Sequence, residues 1–523
     1  MFETLSYITV LTDPTIIMVL VLSSLGGIFL GAVPGISPTM AVALLVPMTF
    51  YMEPATGLIM LGAMFSCTVT GGAITAILIN VPGAPANVAT IFDGHPMAKQ
   101  GRALEAMFLT FHVSLLGGIL GVMVLITLAP MLAEFAVRFG PSERFWVTMF
   151  GITVIAGLSS GNVLKGLFAG LFGMLISCIG FSPMLGEPRY VFHTVLMGGI
   201  AIVPVLIGMF AIPQVLQLTE DLRKLSGEKM KRQLDEIMSK AATNKKGLFL
   251  RTVKAVPSFW RALIPGGFWG VVLGIVPGAG ANVAALVAYD YAKKLAKDEE
   301  RELFGTGNPA GVVAAESANS TTVGPALIPL LTLGVPGSPT AAALLGGLLI
   351  HGLFPGPDLF TKHAVTTHIF LVGLLVAQFL MWGSGMLLAN VAQHIMKVPT
   401  AIMLTAIGVL SVVGAYGVQN TMDDVYIMLG LGLLTYIGMK NGFPVAPAVL
   451  GVVLGPIAEE NFLRGRLIAS VTDGMFNYFF TGPINLVLIG ICIASLSFGV
   501  WQEWGNYRRM KAKSAAAAKG AVS

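Results

Sequence analysis

Two stretches of this sequence interrupt long apolar runs in the same way. Ser66 to Pro85 reads SCTVTGGAITAILINVPGAP, and Ser317 to Pro339 reads SANSTTVGPALIPLLTLGVPGSP. At a constant offset, without gaps, Ser66 pairs with Ser320, Thr68 with Thr322, and Val81-Pro82-Gly83 with Val335-Pro336-Gly337. A Pro-Gly turn among hydroxyls and amides makes a poor membrane helix. Every unpaired backbone group in hydrocarbon is costly, so irregular backbone at membrane depth persists only where protein or a water-filled cavity covers it. The stretch therefore reads as a binding-site segment.

Composition places these segments in a bilayer. Hydrophobic residues make up 55% and charged residues 11% of 523 residues, with a mean hydropathy of +0.82, which leaves too little polar surface for a soluble globular chain. A span takes roughly 20 apolar residues. Clear runs are Thr15 to Val33, Leu104 to Ala129, Val163 to Phe181, Val195 to Leu216, Ile369 to Val391 and Ile484 to Val500. With shorter or interrupted runs added, the expectation is an all-α polytopic membrane protein of about 10 to 14 membrane segments, including broken helices and re-entrant hairpins. The stretches from Leu104 to Leu216 and from Ile369 to Val500 read as plain spanning helices that form a scaffold. Cys67, Cys178 and Cys492 sit in apolar runs without metal-ligand spacing, which indicates neither a disulfide framework nor a metal site.

Charge orders the chain across the membrane. Residues 1–98 hold no Lys or Arg, so the first apolar run lacks a signal-peptide n-region and is expected to stay as the first span. Thr219 to Arg261 carries eleven Lys/Arg against five Asp/Glu, and Arg508 to Lys519 adds five more positive charges. Both are expected to face the cytoplasm, with the N-terminus periplasmic. The net charge of +5 is thus a topology signal and not a sign of a nucleic-acid partner. The expected division is a first membrane repeat at 1–216, a basic cytoplasmic linker at 217–262, a second repeat with a C-terminal span at 263–507, and a basic cytoplasmic tail at 508–523.

A further matched pair strengthens the duplication: LGAVPGISPTMAVAL at Leu30 to Leu44 and LGIVPGAGANVAALV at Leu273 to Val287. The two halves enter from opposite sides by the charge argument, which predicts inverted repeats with a substrate site at their interface. After each Pro-Gly, at Gly35, Gly83, Gly278 and Gly337, the next helix start leaves backbone N–H groups unpaired and carries roughly half a positive charge. Four converging starts would hold a polycarboxylate without basic residues. Gly280 and the polar side chains of Ser37, Thr39, Ser66, Thr68, Asn80, Asn87, Asn282, Asn319, Ser320, Thr321, Thr322 and Ser338 fit the same site. Their oxygens could also ligate sodium. A single Ser or Thr is more often bonded back to its own helix; for the cluster Ser317 to Thr322 the ligand reading is preferred.

Glu316 is the sharpest residue, because an ionisable group within a membrane segment signals function. It reads as a cation ligand or protonatable coupling site, alongside Ser317 and Asn319, with a helix end facing cytoplasmic water as the alternative. Lys165 reads as snorkelling to an interface. No HExxH or phosphate loop occurs, so the chain is expected to be neither an enzyme nor a self-contained ATP-driven pump, and to need no cofactor beyond a coupling ion, sodium or proton.

The blocks LGAVPGISPTMAVALLVPMTF, GGAITAILINVPGAPANVATIFDGHPMAKQG, LGIVPGAGANVA, ANSTTVGPALIPLLTLGVPGSPTAAALLGGL and GPIAEENFLRGRL resemble TctA, the large membrane subunit of the tripartite tricarboxylate transporters. The resemblance runs over nearly the whole chain. It implies a secondary transporter of the bacterial inner membrane that imports citrate or related carboxylates by symport. It also implies a smaller TctB-like membrane subunit and a periplasmic TctC-like solute-binding protein as partners. The competing readings are a carrier that needs no binding protein and, from another class, a channel or membrane scaffold.

Overall fold

A computed structural model describes residues 6–158, 163–182, 184, 186–224, 237, 247–278, 280–392, 400–472 and 474–520. The chain is an all-α polytopic membrane protein. Among the described residues, ten helices are long and apolar enough to cross a membrane, and three shorter apolar helices accompany them.

Helix α1 (Pro14–Gly31) begins under Asp13, which accepts the Thr15 N–H at 2.7 Å, with Pro14 at the first helical position where its missing N–H does no harm. After the Pro34-Gly35 turn, Ser37 caps α2 (Pro38–Thr49) by accepting the Met40 N–H at 3.2 Å. Helix α3 (Pro54–Ile79) is buried without a break from Thr56 to Ile79. It ends at Asn80, and a short 3-10 turn at Pro85–Asn87 leads into α4 (Val88–Met97) and then α5 (Ala103–Ala136).

Helices α6 (Pro141–Leu158) and α7 (Val163–Ser177) follow. The stretch up to Leu216, expected as plain spans, departs from that expectation. Helix stops after Ser177, the run from Val195 opens as a 3-10 turn at Thr194–Gly198, and α-helix resumes only at Ile202. Between them lies an antiparallel pair, Gly180 opposite Arg189 and Phe181 opposite Pro188. Gly180, Gly186, Pro188, Gly198 and Gly199 crowd this segment, and such residues end helices whatever the hydropathy. Helix α8 (Ile212–Lys224) then leads to the basic linker, whose middle lies outside the described residues.

The second half repeats the order of the first. Helices α9 (Trp260–Ile275), α10 (Gly280–Leu295), α11 (Pro309–Thr321), α12 (Val323–Leu333), α13 (Pro339–Ile350) and α14 (Ala364–Ala389) stand where α1 to α5 stood, with α11 and α12 together in the place of α3. The matched sequence gives matched backbone. Asn80 and Gly334, aligned with each other, both end their helix in the left-handed region, at φ 61 and 76, which Asn and Gly tolerate best. Three residues on, the Gly83 N–H donates to Gly72 O at 3.3 Å and the Gly337 N–H to Ala326 O at 3.2 Å, again at aligned positions. The copies differ in one respect. Pro325 and Pro329 stand where α3 has Gly71 and Thr75, and a proline at 325 has no N–H for the Thr321 carbonyl. The second long helix is accordingly interrupted at Thr322.

The remaining helices are α15 (Thr400–Gln419), α16 (Met422–Lys440), α17 (Val445–Val471) and α18 (Pro483–Gly520), with a short turn of helix at Gly474–Phe480. Helix α18 continues through the basic tail as far as Gly520.

The chain forms two compact bodies. One comprises residues 1–137 and 206–436 and holds both copies of the broken segments. Small residues bring its helices close: Gly117 and Gly121 of α5, and Gly266, Gly270 and Gly274 of α9, all lie against α11 or its junction with α12. The other body comprises residues 138–205 and 437–523. In it, Gly170 and Gly173 of α7 meet Gly451 and Ala448 of α17, Arg189 pairs with Glu459 through two hydrogen bonds, and Trp146 Nε1 donates to Phe479 O at 2.7 Å. Lys165 donates to Asn441 O at 2.6 Å and lies over the Phe443 ring.

Candidate functional site

The four helix starts named from sequence are linked to one another. Thr39 on α2 and Thr340 on α13 share a hydroxyl hydrogen bond of 3.0 Å, joining the starts that follow Gly35 and Gly337. The Gly278 N–H donates to Gly337 O at 3.0 Å, which ties the two turns of the second copy together. The turn after Gly83, Pro85–Asn87, packs on α10, which begins at Gly280. Ser37 and Ser338 cap their own helices, and Ser37 also accepts from Gln214 Nε2 at 2.8 Å. Asn80 and Asn282 are exposed at the ends of their segments. The four segments contain no Lys or Arg, so the positive field at these starts comes from the backbone alone.

Ser66 and Thr68 lie elsewhere. Both sit in the buried middle of α3, more than three turns before its break. Ser66 donates to Gln378 Oε1 of α14 at 2.9 Å, and the Thr68 hydroxyl rests on Met64 Sδ at 3.4 Å. The hydroxyls of the Ser317 to Thr322 cluster divide in two. Thr321 donates to Ser317 O and Thr322 to Asn319 O, each at 2.7 Å, the back-bonding common for hydroxyls in helices. Ser317 reaches Leu263 O of α9 at 3.3 Å. Ser320 meets Thr70 of α3 at 3.4 Å, and Asn319 turns to Glu316.

Glu316 is the centre of the second polar group. It lies inside α11 with no exposed surface, so the alternative of a helix end facing water does not apply. Oε1 accepts from Asn87 Nδ2 at 3.1 Å and from the Thr90 hydroxyl, and Oε2 accepts from Asn319 Nδ2 at 3.3 Å. Asn87 in turn accepts the Ala84 N–H at 3.0 Å, so the carboxyl is bonded to the turn that follows Gly83. None of the three partners is a cation. Asn319 Oδ1, on the amide that faces Glu316, has no hydrogen-bond partner.

One turn along α4 stands Asp93, which the reading of the sequence did not single out. Oδ1 accepts the N–H groups of Gly305, Gly307 and Asn308 at 2.8, 2.9 and 2.8 Å, and Oδ2 accepts from the Tyr289 hydroxyl at 2.8 Å. Asn87, Thr90 and Asp93 recur every third residue, so the N-cap of α4 and one face of the helix carry polar ties to α10, α11 and the loop before α11. An acid in the apolar run ATIFDGHPM was a readable signal for Asp93; nothing in the sequence marked Thr90. Among the described residues no group of three or more His, Cys, Asp and Glu could hold a metal ion.

Comparison with known proteins gives a consistent result. The family model described as the tripartite tricarboxylate transporter TctA family matches residues 17–450. A protein of Agrobacterium vitis, described as an uncharacterized 52.8 kDa protein in the TAR-I ttuC' 3' region, is 32% identical over 492 residues, 94% of each chain. A second Agrobacterium vitis protein, described as an uncharacterized protein in the TAR-II ttuC' 3' region, is 32% identical over 222 residues, 42% of this chain and 90% of the relative. No solved structure matches.

Proposed function

The chain belongs to the tripartite tricarboxylate transporter TctA family, and from that premise we propose that it is the large permease subunit of a binding-protein-dependent secondary transporter importing tricarboxylates or related carboxylates. Its family and the ten long apolar helices among the described residues make it a membrane transporter. The observation that carries the finer reading is the meeting of Pro-Gly helix starts, free of basic side chains, beside a buried acid. Backbone N–H groups aimed from several starts suit two or three carboxylates on one small molecule, and they leave a remainder of negative charge that a co-transported cation offsets. The coupling ion in this reading is sodium or a proton, and the transport cycle is alternating access about the paired segments.

The partners in this reading are a small TctB-like membrane subunit and a periplasmic TctC-like solute-binding protein, in the bacterial inner membrane with the N-terminus periplasmic and the C-terminus cytoplasmic. Proteoliposomes holding the chain and the small subunit test it. Uptake of a labelled carboxylate panel should require the binding protein and an imposed sodium or proton gradient. Uptake without the binding protein would make the chain a free-standing organic-anion carrier, and gradient-independent flux would make it a channel.

The inverted arrangement of the two copies has its own test. Single cysteines at Gln100 and at Asp358, exposed positions in short helical stretches beyond the two aligned segments, should react with impermeant thiol reagents from opposite sides of the membrane. Reaction of both from one side would refute the inversion.

A further inference from the structure

The duplication supplies an internal comparison that isolates one site. The positions aligned with Glu316 and Asn319 are Gly62 and Phe65, and those aligned with Asn87 and Thr90 are Ala341 and Leu344. Glu316 and Asn319 come from the second copy and Asn87 and Thr90 from the first, and their four counterparts bring no polar side-chain atom. The same backbone is therefore built without this polar group, and the fold does not require it. All four polar residues have no exposed surface. A buried carboxylate with only neutral partners is costly unless it takes a proton or a cation accompanies it.

The geometry points to a sodium site formed by Glu316, Thr90 and Asn319, with Asn87 holding the carboxylate from the turn after Gly83. The site rests on the ion-coupled reading above and gives that coupling a single location. Thr90 and Asn319 each carry an oxygen as well as a donor, while the oxygen of Asn87 is taken by the Ala84 N–H. Turning the Asn319 amide over exchanges its nitrogen for the oxygen that now lacks a partner, and amide nitrogen and oxygen are interchangeable in shape. That oxygen would then stand where Nδ2 now stands, 3.3 Å from Glu316 Oε2. Two oxygens on adjacent corners of an octahedron with metal–oxygen contacts of about 2.4 Å are about 3.4 Å apart, so the pair has the spacing for one hard cation of that size. The Thr90 hydroxyl supplies a third oxygen and Glu316 Oε1 a fourth.

Coupling follows from what the same residues hold. Asn87 bonds both Glu316 and the Ala84 N–H of the turn after Gly83, so a cation that draws on these side chains acts directly on one of the helix starts of the carboxylate site. Occupancy of one site thereby biases the backbone of the other, which is the differential contact that linkage between two ligands requires.

Equilibrium binding of radiolabelled sodium to the purified full-length chain tests the assignment, with choline chloride holding ionic strength constant. Wild type should bind sodium saturably, Glu316→Gln should show none, and Thr90→Val and Asn319→Ala should each bind about tenfold or more weakly. Variants are accepted when they elute and melt like wild type in sodium-free buffer, and Thr90→Val, nearly isosteric, carries the test if Glu316→Gln fails to fold. Saturable binding that survives in Glu316→Gln or is unchanged in Thr90→Val overturns the site. Absence of sodium binding in wild type overturns it as well and leaves the proton as the coupling ion. Carboxylate uptake is not the readout, so failure of this site and failure of the transporter reading are told apart.

Discussion

Asn319→Ala and Ser320→Ala should each abolish carboxylate uptake while leaving the amount of protein in the membrane unchanged. Both residues are buried in α11, yet neither side chain is held by its own helix backbone: Asn319 bonds Glu316 and Ser320 meets Thr70. Thr321 and Thr322, next to them, are tied to carbonyls of α11 and serve its geometry. Removing a side chain of this size from a buried helix costs stability, on the order of 1–3 kcal/mol, which a protein with many apolar membrane helices tolerates. Uptake, measured against the quantity of inserted protein, separates the two contributions. Near-normal uptake in both variants would remove Asn319 and Ser320 from the site.

The second large effect is on stability. Asp93→Ala should lower the melting temperature of the purified chain sharply, because four donors converge on that carboxylate and two of them, the Gly307 N–H and the Tyr289 hydroxyl, are out of water. Each orphaned buried donor costs about 1–3 kcal/mol, so the loss is on the order of 4 kcal/mol. Asp93→Asn should recover most of it. Its amide oxygen still accepts the three N–H groups, and its NH2 can donate to the Tyr289 oxygen. Equal melting temperatures for Asp93→Ala and wild type would show that the loop before α11 is held by something else.

Much of the fold was legible because it is written twice. Val-Pro-Gly at Val81 and Val335, and Val-Pro-Gly at Val33 and Val276, mark the turns that the backbone makes, and the left-handed ends at Asn80 and Gly334 follow from residue types that tolerate them. Hydropathy misplaced the ends of runs near glycine and proline, carrying the run from Val163 on to Phe181 and opening the next at Val195, whereas helix stops at Ser177 and α-helix resumes at Ile202. It was also silent on which segments pack together. Each compact body takes residues from both halves of the chain, as where helices that meet through Gly170 and Gly451 are far apart in sequence.

The site was legible in part. Glu316 announced itself by charge, and Thr39 and Ser338 by their place after a Pro-Gly turn. Spacing within α3 could not show that Ser66 faces Gln378, because which face of an all-apolar helix meets which neighbour is set by packing and not by sequence pattern. Thr90 and Asp93 were missed for the complementary reason. Each works through a partner more than 190 residues away, and only the folded chain brings Asp93 to Tyr289 or Thr90 to Glu316.

The central claim is that a carboxylate sits among the helix starts after Gly35, Gly83, Gly278 and Gly337. Substrate protection of single cysteines tests it most directly. In a chain with Cys67, Cys178 and Cys492 replaced, cysteines at Ser37 and Ser338 should react with a thiol reagent slowly in the presence of transported carboxylate and quickly without it, while one at the surface position Asp298 should not respond. Unchanged reaction at Ser37 and Ser338, at substrate concentrations that saturate uptake, would contradict the claim.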